Sequence, residues 1–154
     1  MKEIKLTQGK VALVDDADYD ALMKFKWYAI NTNVFYAGTY LRKSKGGKKI
    51  YMHSFLLNTP KGMVADHING NGLDNRRSNL RICTRSENGM NRGKNKNNKS
   101  GYKGVAWHEK DKLWRATIGL NGKIIHLGDF ADKSEAYKAY VAACKKYHKE
   151  FARY

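Results

Sequence analysis

Residues 64–91 read VADHINGNGLDNRRSNLRICTRSENGMN, and the fold turns on how this stretch is parsed. VADHI and LRICT have the composition of two short antiparallel strands, and the Asn, Gly and Asp residues between them suit a tight loop. Thr84 and Glu87 then form a capping-box pair that starts a short helix. In this reading Asp66 and His67 end the first strand, Asn79 stands at the entrance to the second, and Asn88 falls in the first helical turn. Strand, loop, strand and helix can bring these four polar side chains together, and a packed core alone would not require so many.

Upstream, KVALV and FYAGTYL read as strands, and DDADYDALM reads as a short helix whose aspartates suit its N-terminus. Residues 42–49, RKSKGGKK, suggest a basic hairpin turning at Gly46 and Gly47. This run fits either a solvated loop or a phosphate-contacting one. His53, in IYMHSFLL, reads as a strand or helix histidine near the site rather than a direct catalytic participant. Residues 89–101, GMNRGKNKNNKSG, contain one Met as their only apolar side chain and read as a basic linker. Beyond them YKGVAWHE, LWRATIGL and KIIHLGDF read as three strands, the last two joined by an Asn121-Gly122 hairpin turn. A helix follows, capped by Asp132 with Glu135, with Ala136, Ala139, Tyr140, Ala143 and Tyr147 on one face.

The expected class is α+β. Residues 1–88 would form one module with a β-rich N-terminal part, 89–101 a linker, and 102–154 a three-stranded antiparallel sheet packed on one helix. The 154 residues hold 30 Lys plus Arg against 14 Asp plus Glu, a formal charge of +16, which favours a polyanionic partner. The excess is shared, +7 over residues 1–88 and +9 over 89–154. No stretch reaches the roughly 20 apolar residues that span a bilayer, so a soluble, cytoplasmic protein without a membrane partner is expected. Cys83 and Cys144 form no C-x-x-C pair and read as small core residues.

With those positions in view, the segment resembles the HNH nucleases of phage and intron-associated homing endonucleases, the ββα-metal fold. Asp66-His67, Asn79 twelve residues after the histidine, and Asn88 nine further on carry the resemblance. It implies hydrolysis of phosphodiester bonds in double-stranded DNA. His67, with an ordinary pKa near 6.5, would accept the proton of the attacking water. Asp66 and Asn88 would offer hard oxygen ligands to one divalent ion, Mg²⁺ with Mn²⁺ as the alternative. Asn79 would hold the loop and the His67 ring. Arg76, Arg77 and Arg81 are candidate phosphate contacts, as are Arg42, Lys43, Lys45, Lys48 and Lys49 in the basic hairpin.

Residues 102–154 resemble the AP-two/ERF DNA-binding domain through Tyr102, Gly104-Val105, Trp114, Ile118, Leu127-Gly128, Phe130, Ala136 and Tyr140. Such a domain lays its sheet in the major groove. Period two puts Val105, Trp107, Trp114, Ala116, Ile118, Ile125 and Leu127 towards the helix. His108, Arg115, Thr117 and His126 then face outward, with Lys103 at the edge, as DNA contacts. The combined expectation is a homing-type endonuclease whose C-terminal module positions the cut. The rival is a non-catalytic DNA-binding protein that keeps the HNH fold as a scaffold. One active site per chain makes nicking natural for a monomer, whereas a homodimer could cut both strands, and the sequence does not choose between the two states.

Overall fold

The computed structural model describes residues 1–41 and 47–154. The chain divides into two compact units, residues 1–84 and 85–154. Arg42, Lys43 and Lys45, with Gly46 of the expected turn, lie outside the described residues.

The first unit opens with strands β1 (Lys2–Lys5) and β2 (Val11–Val14), paired antiparallel, followed by helix α1 (Asp16–Leu22). A second sheet follows, in the order β3 (Tyr28–Asn31), β4 (Phe35–Leu41), β5 (Lys48–Tyr51), antiparallel throughout. β4 coincides with FYAGTYL, and Leu41 stands opposite Lys48. Helix α2 (Met52–Leu56) begins directly after β5, so His53 is helical, in its first turn. β6 (Val64–His67) and β7 (Leu80–Cys83) then form a two-stranded antiparallel ladder. Ile4, Ala12, Val14, Leu22, Trp27, Met52, Leu56 and Leu80 make one buried cluster beneath these elements. Trp27 satisfies its indole N–H on the Leu22 carbonyl at 2.8 Å, as a buried donor must.

In this frame Gly72 is a point of close approach. A Cβ there would come within 3 Å of the Phe35 carbonyl oxygen and the Tyr36 ring. The loop between β6 and β7 therefore presses its backbone onto β4 at a position where only glycine fits.

In the second unit helix α3 (Arg85–Met90) starts one residue after Thr84, where the capping signal falls. Residues 91–101 belong to this unit and are not a free linker. Asn91 and Ser100 are buried, and the Ser100 hydroxyl lies 2.7 Å from the Val105 carbonyl oxygen. Asn98 donates to the Tyr102 carbonyl at 2.9 Å and accepts from the Gly101 N–H at 2.8 Å. Short polar side chains, which composition alone assigns to a linker, here supply the partners of a folded turn.

Strands β8 (Val105–His108), β9 (Leu113–Leu120) and β10 (Lys123–Phe130) form an antiparallel sheet in the order β10-β9-β8. Asn121 and Gly122 turn the last hairpin with φ of 50° and 75°, the pair of positive values that a two-residue turn needs. Helix α4 (Lys133–Tyr147) packs Ala136, Tyr140, Ala143 and Cys144 into cores shared with Val105, Ala116 and Ile118. The Asp132 carboxylate caps it, accepting from the Ser134 and Glu135 N–H groups at 2.7 and 3.1 Å.

One expectation for this sheet is corrected. Trp107, assigned to the helix-facing side, is 44% exposed, packs edge-on against Trp114 and donates its N–H to Glu109. In β10 Ile125 and Leu127 face the core and Ile124 and His126 face outward, as period two requires, and a bulge then shifts the register between His126 and Gly128. Leu127 and Phe130 consequently both pack on the core, and Asp129 comes opposite Arg115.

Gly72→Ala should destabilise the first unit by about 1–3 kcal/mol through forced displacement of backbone. Gly89→Ala, where a Cβ meets nothing within 4 Å, should be neutral or slightly stabilising in α3. Urea denaturation of the two variants side by side checks the contrast.

Candidate active site

The antiparallel ladder sets Asp66 opposite Arg81 and His67 opposite Leu80. Successive strand residues point to opposite faces, so the Asp66 and His67 side chains diverge from one backbone. Asp66 is buried and receives both the Nε and one terminal nitrogen of Arg81 on Oδ2, at 3.0 and 2.9 Å. A carboxylate this sheltered needs such a partner for its oxygens.

Asn79 closes the loop that follows His67. Its side-chain N–H₂ donates to Asn69 Oδ1 at 3.0 Å and to the Asp74 carbonyl at 2.8 Å, while its Oδ1 accepts the Asn69 N–H at 3.0 Å. Asn69 also donates to Asp74 Oδ2, and its Oδ1 accepts the Asn71 N–H. One carboxamide therefore ties the two ends of the loop and its middle together. Its bonds go to the loop, and the contact with the His67 ring comes from Asn75, whose Oδ1 lies 3.3 Å from His67 Nε2.

His67 stands in an aromatic box. Its ring centroid is 4.7 Å from that of His53, edge to face, and 5.8 Å from that of Tyr36. His53 in turn stacks on Tyr51 at 5.4 Å and lies 5.6 Å from Tyr36. Burial, with the neighbouring His67, pushes the His53 pKa down to about 3, and its Nδ1 is buried without a hydrogen-bond partner. Burial likewise lowers the pKa of His67, opposed by Asn75 and by the charges of Asp66 and Asp74. Burial raises that of Tyr36, with Asp66 adding to the effect. The box thus holds two neutral imidazoles at neutral pH. His53 enters it because α2 follows β5, whose Tyr51 pairs with Gly38 of β4. His53 thus lies near the site and on a helix, as the sequence reading expects.

The arginines expected on phosphates are engaged with carboxylates. Arg76 grips Asp74 through two bonds of 2.7 Å, and Arg77 grips Asp18 through two of 2.8 Å. With Arg81 on Asp66, these three position the loop and its strands. Lys48 and Lys49 are exposed on β5. Asn88 is half-buried on α3, in the second unit.

Within that unit Lys103 turns inward, donating to the Met90 and Arg153 carbonyls at 2.8 Å each, and burial lowers its pKa. It ties α3 to the C-terminus instead of standing at the sheet edge. Arg115 bonds Asp129 at 2.8 Å and Asp111 at 3.0 Å, and the pairing with Arg115 holds Asp129 down to about 2. His126 lies 3.2 Å from Asp129, His108 2.9 Å from Asp111, and Thr117 is half-buried opposite His126.

The site thus places a buried histidine next to an arginine-paired aspartate, on a hairpin whose loop is closed by asparagine. Residues 58–90 match the HNH endonuclease family. The chain is 36% identical to protein 3.8 of Escherichia phage T7 over 95 residues, covering 62% of this chain and 78% of that protein. It is 26% identical over 146 residues to an uncharacterized HNH endonuclease of Acanthamoeba polyphaga mimivirus, covering 94% of this chain and 74% of that one. Residues 58–90 thus carry an HNH endonuclease domain, and the chain has viral relatives. No solved structure matches it significantly. Among the described residues no helix is long and apolar enough to cross a membrane, and no group of three or more His, Cys, Asp or Glu side chains could by itself hold a metal ion.

The buried neutral His53 makes stability depend on pH in a fixed direction. Its folded pKa lies below its unfolded value, so its contribution is constant above about pH 6.5. As pH falls from there towards 3 the unfolded chain binds a proton that the folded chain refuses, and stability drops by up to about 1.4 kcal/mol per pH unit. His53→Phe should flatten that slope by one proton, measured by urea midpoints between pH 4 and 7.

Proposed function

We propose that this chain is a divalent-metal-dependent endonuclease of the homing type that hydrolyses phosphodiester bonds in double-stranded DNA. The observation that carries the reading is His67. It is 5% exposed, its pKa is lowered by burial, and one ring nitrogen is engaged by Asn75 while His53 and Tyr36 restrict the ring's tilt. An imidazole kept neutral and fixed is suited to accept a proton from water at pH 7.

HNH nucleases generally use a divalent ion, and the donor chemistry here fits a hard one. Asp66 of the first unit offers a carboxylate, and Asn88 is a second oxygen ligand only as the HNH resemblance implies; an Mg²⁺ or Mn²⁺ ion at Asp66 would be completed by water and phosphate oxygens. Bound there, the ion would supply charge stabilisation at the scissile phosphate and the departing 3′-oxygen. Arg81 balances Asp66 in the structure, so the ion would share this carboxylate with a guanidinium. That pairing favours the second reading, in which the fold binds DNA without cutting it.

For residues 102–154 the proposal is an AP-two/ERF-like reader. Its support is the three-stranded sheet with α4 on one side and Ile124 80% exposed on the hairpin. Arg115, Thr117, His108 and His126 would face the groove, the cations released from Asp111 and Asp129 by phosphate. Lys48 and Lys49, with Arg42, Lys43 and Lys45 beside them in sequence, would add phosphate contacts in the first unit.

Supercoiled plasmid incubated with the pure protein and Mg²⁺ should be opened, and His67→Ala should lower the rate by about 10²-fold to 10⁴-fold with DNA binding kept. Ends carrying 5′-phosphate and 3′-hydroxyl groups, and loss of cutting in excess chelator, are expected. DNA binding with no cutting at any divalent ion would favour the scaffold reading. Arg115→Ala should reduce the slope of log K against log salt by about 0.9, the release of one counterion. An unchanged slope would remove Arg115 from the interface.

A further inference from the structure

Asn75 is fully buried, and the backbone from Leu73 to Asn75 is clamped to β2. The Asn75 N–H donates to the Leu13 carbonyl at 2.8 Å, the Leu13 N–H donates to the Leu73 carbonyl at 2.8 Å, and Leu13 bridges Asp74 in parallel fashion. Its side chain has little freedom to retreat from that anchor. Oδ1 lies 3.3 Å from His67 Nε2, and Nδ2 is buried without a partner.

An amide oxygen can only accept a hydrogen bond. Facing Nε2, it favours the tautomer that carries its proton there, which puts the ring's lone pair on Nδ1. Were the carboxamide turned over, Nδ2 would donate to Nε2, the proton would move to Nδ1, and the lone pair would be bound to asparagine instead of water. The orientation of this one side chain therefore decides whether His67 can act as a base, and with which nitrogen.

We infer that Asn75 is the positioning residue of the nuclease site: it selects the Nε2–H tautomer of His67, so that Nδ1 takes the proton from the attacking water. The inference rests on His67 being the base, and adds the nitrogen and the residue that chooses it. Tyr36 and His53 limit the tilt of the ring, and Asn75 limits its rotation and its proton. Asn79 acts one step further away, by holding the loop on which Asn75 sits.

The test is a long-range ¹H–¹⁵N correlation spectrum of the full chain, labelled in histidine and recorded at pH 8, with His67→Ala used to assign the signals. The expected pattern for His67 is a protonated Nε2 and an unprotonated Nδ1. Asn75→Asp, which can only accept, should retain it, and Asn75→Leu, which cannot accept, should shift the population towards Nδ1–H. In parallel, Asn75→Leu should lower kcat by at least about 10²-fold with KM little changed, the cost of a misplaced tautomer, and Asn75→Asp should recover part of the loss. An Nδ1–H pattern in the unaltered protein overturns the inference whatever the variants do. So does an Nε2–H pattern that persists undiminished in a folded Asn75→Leu. The spectrum is read without cleavage, so its failure is distinct from that of the base assignment, which would appear as undiminished cutting by His67→Ala.

Discussion

The hold that Asn79 has on the loop between β6 and β7 is the constraint on which the site depends. A loop rich in Asn, Gly and Asp has little apolar surface to bury, so its order must come from hydrogen bonds. Asn79 bonds both Asn69 and Asp74, and Asp74 also gathers Arg76 and the Asn69 amide. Burial sharpens the effect, since a polar group removed from water is costly unless every bond is made. The result is a polar scaffold rigid enough to hold Asn75 against an imidazole.

The two residues of the Asp66-His67 pair live in different environments because a strand alternates. Asp66 is matched across the ladder with a cation, and His67 is enclosed by uncharged rings. A carboxylate paired with a guanidinium and an imidazole walled by rings are opposite surroundings, met within one dipeptide. The same logic of local neutralisation runs through the second unit, where Arg115, His126 and His108 share Asp129 and Asp111. A chain of formal charge +16 thus carries much of its interior and sheet-face charge in matched pairs.

What could be read in the sequence was what is local. FYAGTYL, LWRATIGL and KIIHLGDF coincide with β4, β9 and β10, and Asp132 caps α4, because alternation and capping are written within a few residues. The Asp66, His67 and Asn79 positions were legible from motif spacing, although Asn79 acts on the loop and not on the ring. β1 escaped notice because KEIK buries only Ile4. The sequence puts His53 near the site, but its packing on His67, like the roles of Asn75 and Lys103, depends on partners between 8 and 50 residues away, such as His67 for the first two and the Arg153 carbonyl for the third. The bulge at Leu127 could not be inferred from period two, which it breaks, and with it came the unexpected partner of Arg115.

The seam between β2 and the Leu73–Asn75 backbone has a consequence for how the protein fails. β2 is the outer strand of a two-stranded ladder, and such an edge is a template for pairing with another chain. Leu73 and Asn75 occupy that edge with their own carbonyl and amide groups. Any event that frees the loop from Asn79 also uncovers a strand bearing Val11, Leu13 and Val14. The hydrogen bonds that hold the loop therefore also keep the β2 edge paired, so the order of the site and the cover of that edge rest on the same seam.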